Sequence, residues 1–205
     1  MRIRHRLAPA SAGLGLVLVI SAPVAWSAEA VDSTKTFRAS SGLFEVAVPN
    51  GWTAIEHDDG GGLSLSSETG EQARITFIPN VVLQSGGIRL GAPPGAGAMA
   101  IAEGLALLLP PAEGVDVADP AIVELSSGDE AVELAATGSM SEGALFILEP
   151  TDGVTALVSY TTAPGSYDGM REAAVGWLGS LAFVGDADGL MELLDPPPLV
   201  DILIG

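Results

Sequence analysis

The chain has 205 residues, no cysteine, 48% hydrophobic composition and 26 acidic residues against eight basic ones. That length carries one sizeable core with tails and would cramp a second full domain, while the lack of cysteine excludes disulfides, thiolate metal sites and lipid attachment through an N-terminal cysteine. So negative a surface repels phosphate backbones and anionic headgroups, which argues against nucleic acid and against charge-driven membrane binding.

Arg2, Arg4, His5 and Arg6 precede an apolar run from about Ala12 to Ala25, followed by Ala25-Trp26-Ser27-Ala28-Glu29-Ala30. That order predicts a secretory signal peptide over residues 1–27, cut after Ser27, with cleavage after Ala28 or Ala30 as alternatives. An uncleaved anchor is the competing reading, and the apolar core is short for a span. The arginines are not adjacent, which favours general secretion over a twin-arginine route. Without residues 1–27, Lys35, Arg38, Arg74, Arg89 and Arg171 are the basic residues left against all 26 acidic ones, a formal charge of −21. The expectation is an exported protein, periplasmic or extracellular, with no membrane insertion once the signal is removed and with acidity serving solubility.

Residues 28–36 read as a polar linker. Gly42 to Trp52 then gives a strand with Phe44, Val46 and Val48 on one face, a stop at Pro49, a reversal in which Asn50 and Gly51 supply positive φ, and Trp52 opening the next strand with its ring inside. Further strands are predicted over 52–56, 63–67 and 73–78, joined as antiparallel hairpins, with Ile75, Phe77 and Val81 on the buried face. Residues 85–97 are too rich in glycine and proline for regular structure. Ala98, Ile101, Ala102, Leu105, Leu108 and Leu109 then recur at helical spacing up to Pro110-Pro111, and a helix this apolar must be covered by protein.

A second meander is predicted over 122–125, 131–137, 144–149 and 154–160. A second helix follows, with Tyr167, Met170, Ala174, Trp177, Leu178 and Leu181 as its apolar stripe, Thr162 or Ser166 as its cap and Pro164 in its first turn. Strands, helix, strands, helix argue α+β, an antiparallel sheet meander flanked by helices in an α/β/α sandwich. From Gly185 to Gly205 the chain is an acidic, proline-containing tail: a possible short helix over 186–195, a Pro196-Pro197-Pro198 spacer and an apolar end from Leu199 to Ile204 that is expected to dock on its own domain or on a partner.

Little in this chain carries chemistry. His57 is the one histidine after residue 27, so His-rich zinc sites are excluded, and a Ser-His-acid triad would need His57 without any Gly-x-Ser-x-Gly elbow to present the serine. His57-Asp58-Asp59 beside three glycines has the makings of a weak cation site, and also of an ordinary hairpin tip, which is the preferred reading. Asp186-Ala-Asp188-Gly189 opens like a calcium loop but has Pro197 at the closing position, so it reads as solvated linker. Trp52 and Trp177 lie on buried periods and read as core rather than as pocket lining.

The strand-Pro-x-Gly-Trp opening, the meander and the closing helix running into Gly179-Ser180-Leu181-Ala182-Phe183 resemble the PsbP-like superfamily, with its photosystem II extrinsic protein P, Mog and DcrB-type branches. The resemblance spans residues 37–184, departs from the family in the loop at 85–97 and in the tail at 185–205, and hands over no catalytic residues. It implies an antiparallel sheet sandwiched by helices, and a binding, assembly or chaperone-like accessory protein of the bacterial cell envelope rather than an enzyme. No catalytic, cofactor-binding or metal-binding residue and no cofactor is therefore expected, and the partner is an unidentified protein. A small secreted serine hydrolase using His57, or a carrier of an apolar ligand, are the alternatives.

Overall fold

The computed structural model describes residues 35–80, 82–83, 97–108 and 114–194. Period-two alternation resolves into two sheets rather than one. β1 (Lys35–Arg38) and β2 (Phe44–Val48) pair antiparallel, from Lys35↔Val48 to Arg38↔Glu45, and the two-residue β11 (Ala182–Phe183) joins the other side of β2. Among the described residues the second sheet has eight strands: β3 (Trp52–Glu56), β4 (Gly62–Ser67), β5 (Gln72–Pro79), β6 (Val115–Val117), β7 (Ala121–Glu124), β8 (Glu130–Gly138), β9 (Glu142–Thr151) and β10 (Val154–Thr162). Its order is β3-β4-β5-β10-β9-β8, with β6 and β7 both on the far side of β8. The two sequence meanders thus meet at β5 and β10, which pair from Val154↔Pro79 to Thr161↔Gln72.

Among the described residues, three helices cover the sheet from both faces, as the expected α+β sandwich requires. α1 (Ala98–Leu108) lies on the outer face over β8 and β9, where Ile101 and Ala102 bury against Val132 and Ile147. The inner face receives α2 (Tyr167–Leu178), α3 (Ala187–Leu193) and the small sheet. There Phe44 and Val46 meet Leu63, Ile75, Phe77, Phe146, Val158, Trp177 and Leu178 in the main core. Phe44 and Phe183 flank Phe77 at ring separations of 4.8 and 5.0 Å, in tilted geometries that suit the aromatic quadrupoles.

Several expectations need correction. β1 begins at Lys35, two residues inside the expected linker, because its backbone extends the small sheet. Pro49-Asn50-Gly51-Trp52 is not a hairpin: the Trp52 N–H donates to the Pro49 carbonyl at 3.1 Å, and the turn passes the chain from one sheet to the other. Only Gly51 takes positive φ there (78°), Asn50 does not, and a turn with positive φ at its third position alone lacks the twist of a two-residue hairpin loop. Trp52 is half-buried, stacked on Tyr160 with ring centroids 6.2 Å apart, because β3 is the last strand of its sheet among the described residues.

α1 is less covered than its composition demands, with Leu107 at 87% exposure. α2 is capped neither by Thr162 nor by a Ser166 side-chain bond. The Glu142 carboxylate on β9 accepts from the Tyr167 N–H instead, and Pro164 lies before the helix. The tail contributes to the fold up to Leu194: Leu190 is fully buried, and Leu193 and Leu194 sit against Gly60 and Gly61 at the β3–β4 tip. The signal peptide over 1–27, residues 28–34 of the linker, Val81, residues 85–96 of the glycine-rich loop, Leu109, Pro110-Pro111, and the spacer and apolar end within 195–205 lie outside the described residues.

Candidate functional site

The outer face beyond α1 is where the sequence's one candidate for acid–base chemistry lies. Inward-pointing Leu63 and Leu65 send Ser64 and Ser66 outward on β4, and the ladder places Ile55 of β3, Arg74 of β5 and Ser159 of β10 in line with Ser64 across the sheet. His57 follows β3 directly and its Nε2 lies 3.0 Å from Ser64 Oγ. Burial, and secondarily the Arg74 charge, hold this imidazole below its ordinary value of 6.5 against the opposing pull of Asp59 and Asp58. A neutral imidazole beside a serine hydroxyl has the first two members of a nucleophilic triad.

The remaining parts of such a machine have other duties. The Nδ1 edge of the ring lies against Gly62, and the Asp59 carboxylate accepts from the Gly61 N–H at 2.9 Å, forming the turn. The His57 N–H donates to the Gly62 carbonyl, which fixes the alternation along β3 and β4 and commits the Ser64 N–H to the Ile55 carbonyl and the Leu65 N–H to β5. Neither backbone donor around Ser64 is left for an oxyanion, whose stabilisation is the largest single contribution to acyl transfer. The candidate cation site at His57-Asp58-Asp59 is in the same way a turn held by its own backbone bonds, and among the described residues no three His, Asp or Glu side chains gather as a metal would need.

A buried polar cluster on the inner face has no counterpart in the sequence reading. Glu133 on β8 is 5% exposed; its carboxylate accepts from the Tyr167 hydroxyl at 2.7 Å and from Arg171 Nε at 2.9 Å, with Arg171 Nη2 closing a bidentate pair. Burial first, then the bond to Glu133, raises the Tyr167 phenol far above its ordinary value. Arg171 is held more firmly protonated, chiefly by its bond to Glu133. The alternation Ala131, Glu133, Ala135 faces α2, and the i, i+4 spacing of Tyr167 and Arg171 puts both on one helix face. An acidic residue in an otherwise apolar strand is the signal that was available. With both carboxylate oxygens engaged, this cluster fastens α2 to the sheet rather than offering reactive groups.

Asp186, the first residue of the calcium-like stretch, is the N-cap of α3: its carboxylate accepts from the Gly189 N–H at 2.8 Å. The stretch is therefore a helix start, not a solvated linker. Glu71, 6% exposed, is held by the Ser67 and Thr69 hydroxyls at the β4–β5 turn.

No protein-family model and no curated protein matches the sequence. Among solved structures, the solution structure of cyanobacterial PsbP (CyanoP) from Synechocystis sp. PCC 6803 superposes with a TM-score of 0.51 at 10% identity, over 78% of this chain and 98% of that one. The chain has a PsbP-like fold. Two more structures are similar to it: a point mutant of the protein Mog1, at TM-score 0.42 and 9% identity over 78% of this chain and 90% of that one, and LpqN, involved in cell envelope biogenesis of Mycobacterium tuberculosis, at 0.35 and 11% over 74% and 90%. No helix among the described residues is long and apolar enough to cross a membrane.

Proposed function

We propose that this chain is an exported, non-catalytic binding or assembly factor of the bacterial cell envelope that engages a protein partner. The observation that carries the reading is the outer face of the sheet. α1 packs on β8 and β9, while Thr53, Ser66, Gln72 and Arg74 stand exposed on β3 to β5, bordered by the half-buried Ser64, Thr76, Ser159 and Thr161. A hydroxyl-rich sheet face with a large apolar residue at its border, Ile55 at 64% exposure, suits broad contact with another macromolecule better than enclosure of a small substrate. Export rests on the basic-apolar-small order of residues 1–27, and the strongly acidic composition favours a partner with a basic surface.

Crosslinking in intact cells followed by co-purification tests this reading. A defined partner whose crosslinks map to β3–β5 of the outer face supports it, and a protein recovered only alone, with its apolar N-terminal segment still attached, counts against it. The 3.0 Å contact between His57 and Ser64 keeps one second reading, a serine hydrolase, which needs an acid and an oxyanion site supplied from elsewhere. Labelling with a serine-reactive fluorophosphonate separates the two.

A further inference from the structure

β6 and β7 lie end to end along β8, on the side of the main sheet away from β3. From Gly114 to Glu124 only Val123 is buried and only Pro120 half-buried; the other residues are exposed. Val115, Val117, Ile122 and Glu124 stand opposite Gly138, Ala136, Val132 and Glu130. Val132 packs under α1, so these four side chains share the outer face with that helix. Ile122 is 60% exposed there. With the two valines it forms an apolar row spanning Gly138 to Val132 on β8, about 20 Å at about 3.4 Å per residue. The Leu125 N–H donates to the Asp129 carbonyl, and the alternation this sets turns Ala121 and Val123 toward β8 and the N–H and C=O groups of Ile122 and Glu124 away from it. Exposed strand backbone of this kind is a template for an added strand.

Charge selects what can come to this row. From residue 90 to residue 170 the sequence contains no Lys, Arg or His, and exposed Asp116, Asp119, Glu124 and Glu130 border the row. Glu124 and Glu130 sit directly opposite each other in the ladder, an arrangement of like charges that is unfavourable in the protein alone. Acidic residues on a border strand also keep copies of one chain from pairing edge to edge, because the same charges would meet. A segment carrying Lys or Arg meets no such repulsion. It relieves the Glu124–Glu130 pair, and the carboxylates steer it to the apolar row.

We propose that the border from Val115 to Glu124 docks an extended segment of a partner protein in which apolar residues alternate with Lys or Arg, the apolar side chains seated on Val115, Val117 and Ile122 and the cations set against Asp116, Asp119, Glu124 and Glu130. This surface lies across α1 from the β3–β5 face, so binding here and crosslinks there can fail separately. The probe is a capped valine–lysine alternating peptide of about eight residues, long enough at about 3.4 Å each to cover the row, titrated into the protein as the producing cell processes it and followed by amide chemical shifts. A serine–lysine peptide of the same length and charge is the comparison. Shifts should gather on residues 115–124 and on β8. Binding should weaken at least about tenfold for the serine–lysine peptide and for Ile122→Lys, as expected when burial of apolar side chains is lost, while the Val158 amide stays unmoved and reports an intact fold. Val117→Lys reads the same loss if Ile122→Lys fails to fold. Absent shifts, shifts centred on β3–β5, equal binding of the two peptides or unchanged binding by the variants would overturn the proposal. So would shifts at residues 115–124 that follow protein concentration rather than peptide, since the occupant would then be a second copy.

Discussion

Trp177 completes the backbone hydrogen bonding of Ala47, 130 residues away in sequence: its indole N–H donates to the Ala47 carbonyl at 2.8 Å. Ser180 serves the same residue, its hydroxyl oxygen accepting from the Ala47 N–H at 3.1 Å while its own hydrogen goes to the Trp177 carbonyl. β11 is too short to pair with β2 beyond Glu45, so the two side chains continue the ladder where the strand stops. Trp177→Phe keeps most of the buried ring and removes the bond, and should cost about 1 kcal/mol in denaturant unfolding, against about 3 to 5 kcal/mol for Trp177→Ala. Ser180→Ala should cost about 1 kcal/mol, and the double variant should be non-additive because both bonds end on one residue.

The Glu133–Arg171 pair gives a second expectation. Arg171 is itself 45% exposed, whereas Glu133 is 5% exposed, so removing the arginine leaves a buried carboxylate with only the Tyr167 hydroxyl. Arg171→Ala should destabilise by about 3 kcal/mol, toward the low end for a broken buried pair, because water can reach one side. Glu133→Gln, which keeps the shape and an acceptor for Tyr167, should cost less. Urea unfolding of the two variants checks the order.

The glycines of the β3–β4 tip differ in what they tolerate. A Cβ at Gly62 would collide with the Ile75 carbonyl and the His57 ring, and backbone cannot move aside; at Gly61 it would meet the Leu194 side chain at 2.9 Å, which can. Gly62→Ala is therefore expected to cost about 1 to 3 kcal/mol and Gly61→Ala much less. Similar losses for both in thermal unfolding would contradict this packing.

His57 links stability to pH. Its folded-state pKa lies below 6.5 because burial and Arg74 disfavour the imidazolium, so below about pH 6.5 the unfolded chain binds the proton more readily than the folded one. Its contribution is complete above that pH and declines as pH falls through 6.5 toward the folded value. Denaturation at pH 7.5 and 5.5 should show a larger loss for the wild type than for His57→Gln.

Alternation and turn residues made most strands and both long helices legible, since Phe44, Val46, Ile75 and Phe77, or Met170, Ala174 and Trp177, carry their period in the local sequence. The division into two sheets was not legible. It depends on β2 meeting β11 and Trp177 across more than a hundred residues, and on the turn at Gly51, whose conformation Asn50-Gly51 alone does not fix. α3 was blurred because an Asp-x-Asp-Gly stretch serves as helix cap and metal loop alike. The Glu133 cluster was missed because an acidic residue at an inward position looks like a break in the pattern until Tyr167 and Arg171 stand opposite it.

The reading as a binding protein depends most directly on whether Ser64 is a nucleophile. Intact-mass measurement after incubation with a serine-reactive fluorophosphonate decides it, with His57→Ala as the control. The expected result is no adduct on either protein, because Ser64 Oγ has a histidine at 3.0 Å but, among the described residues, the nearby Asp59 carboxylate is committed to the Gly61 N–H and the backbone donors beside Ser64 are used in the sheet. A single adduct on Ser64 that is lost in a folded His57→Ala protein would contradict the account and establish a catalytic serine.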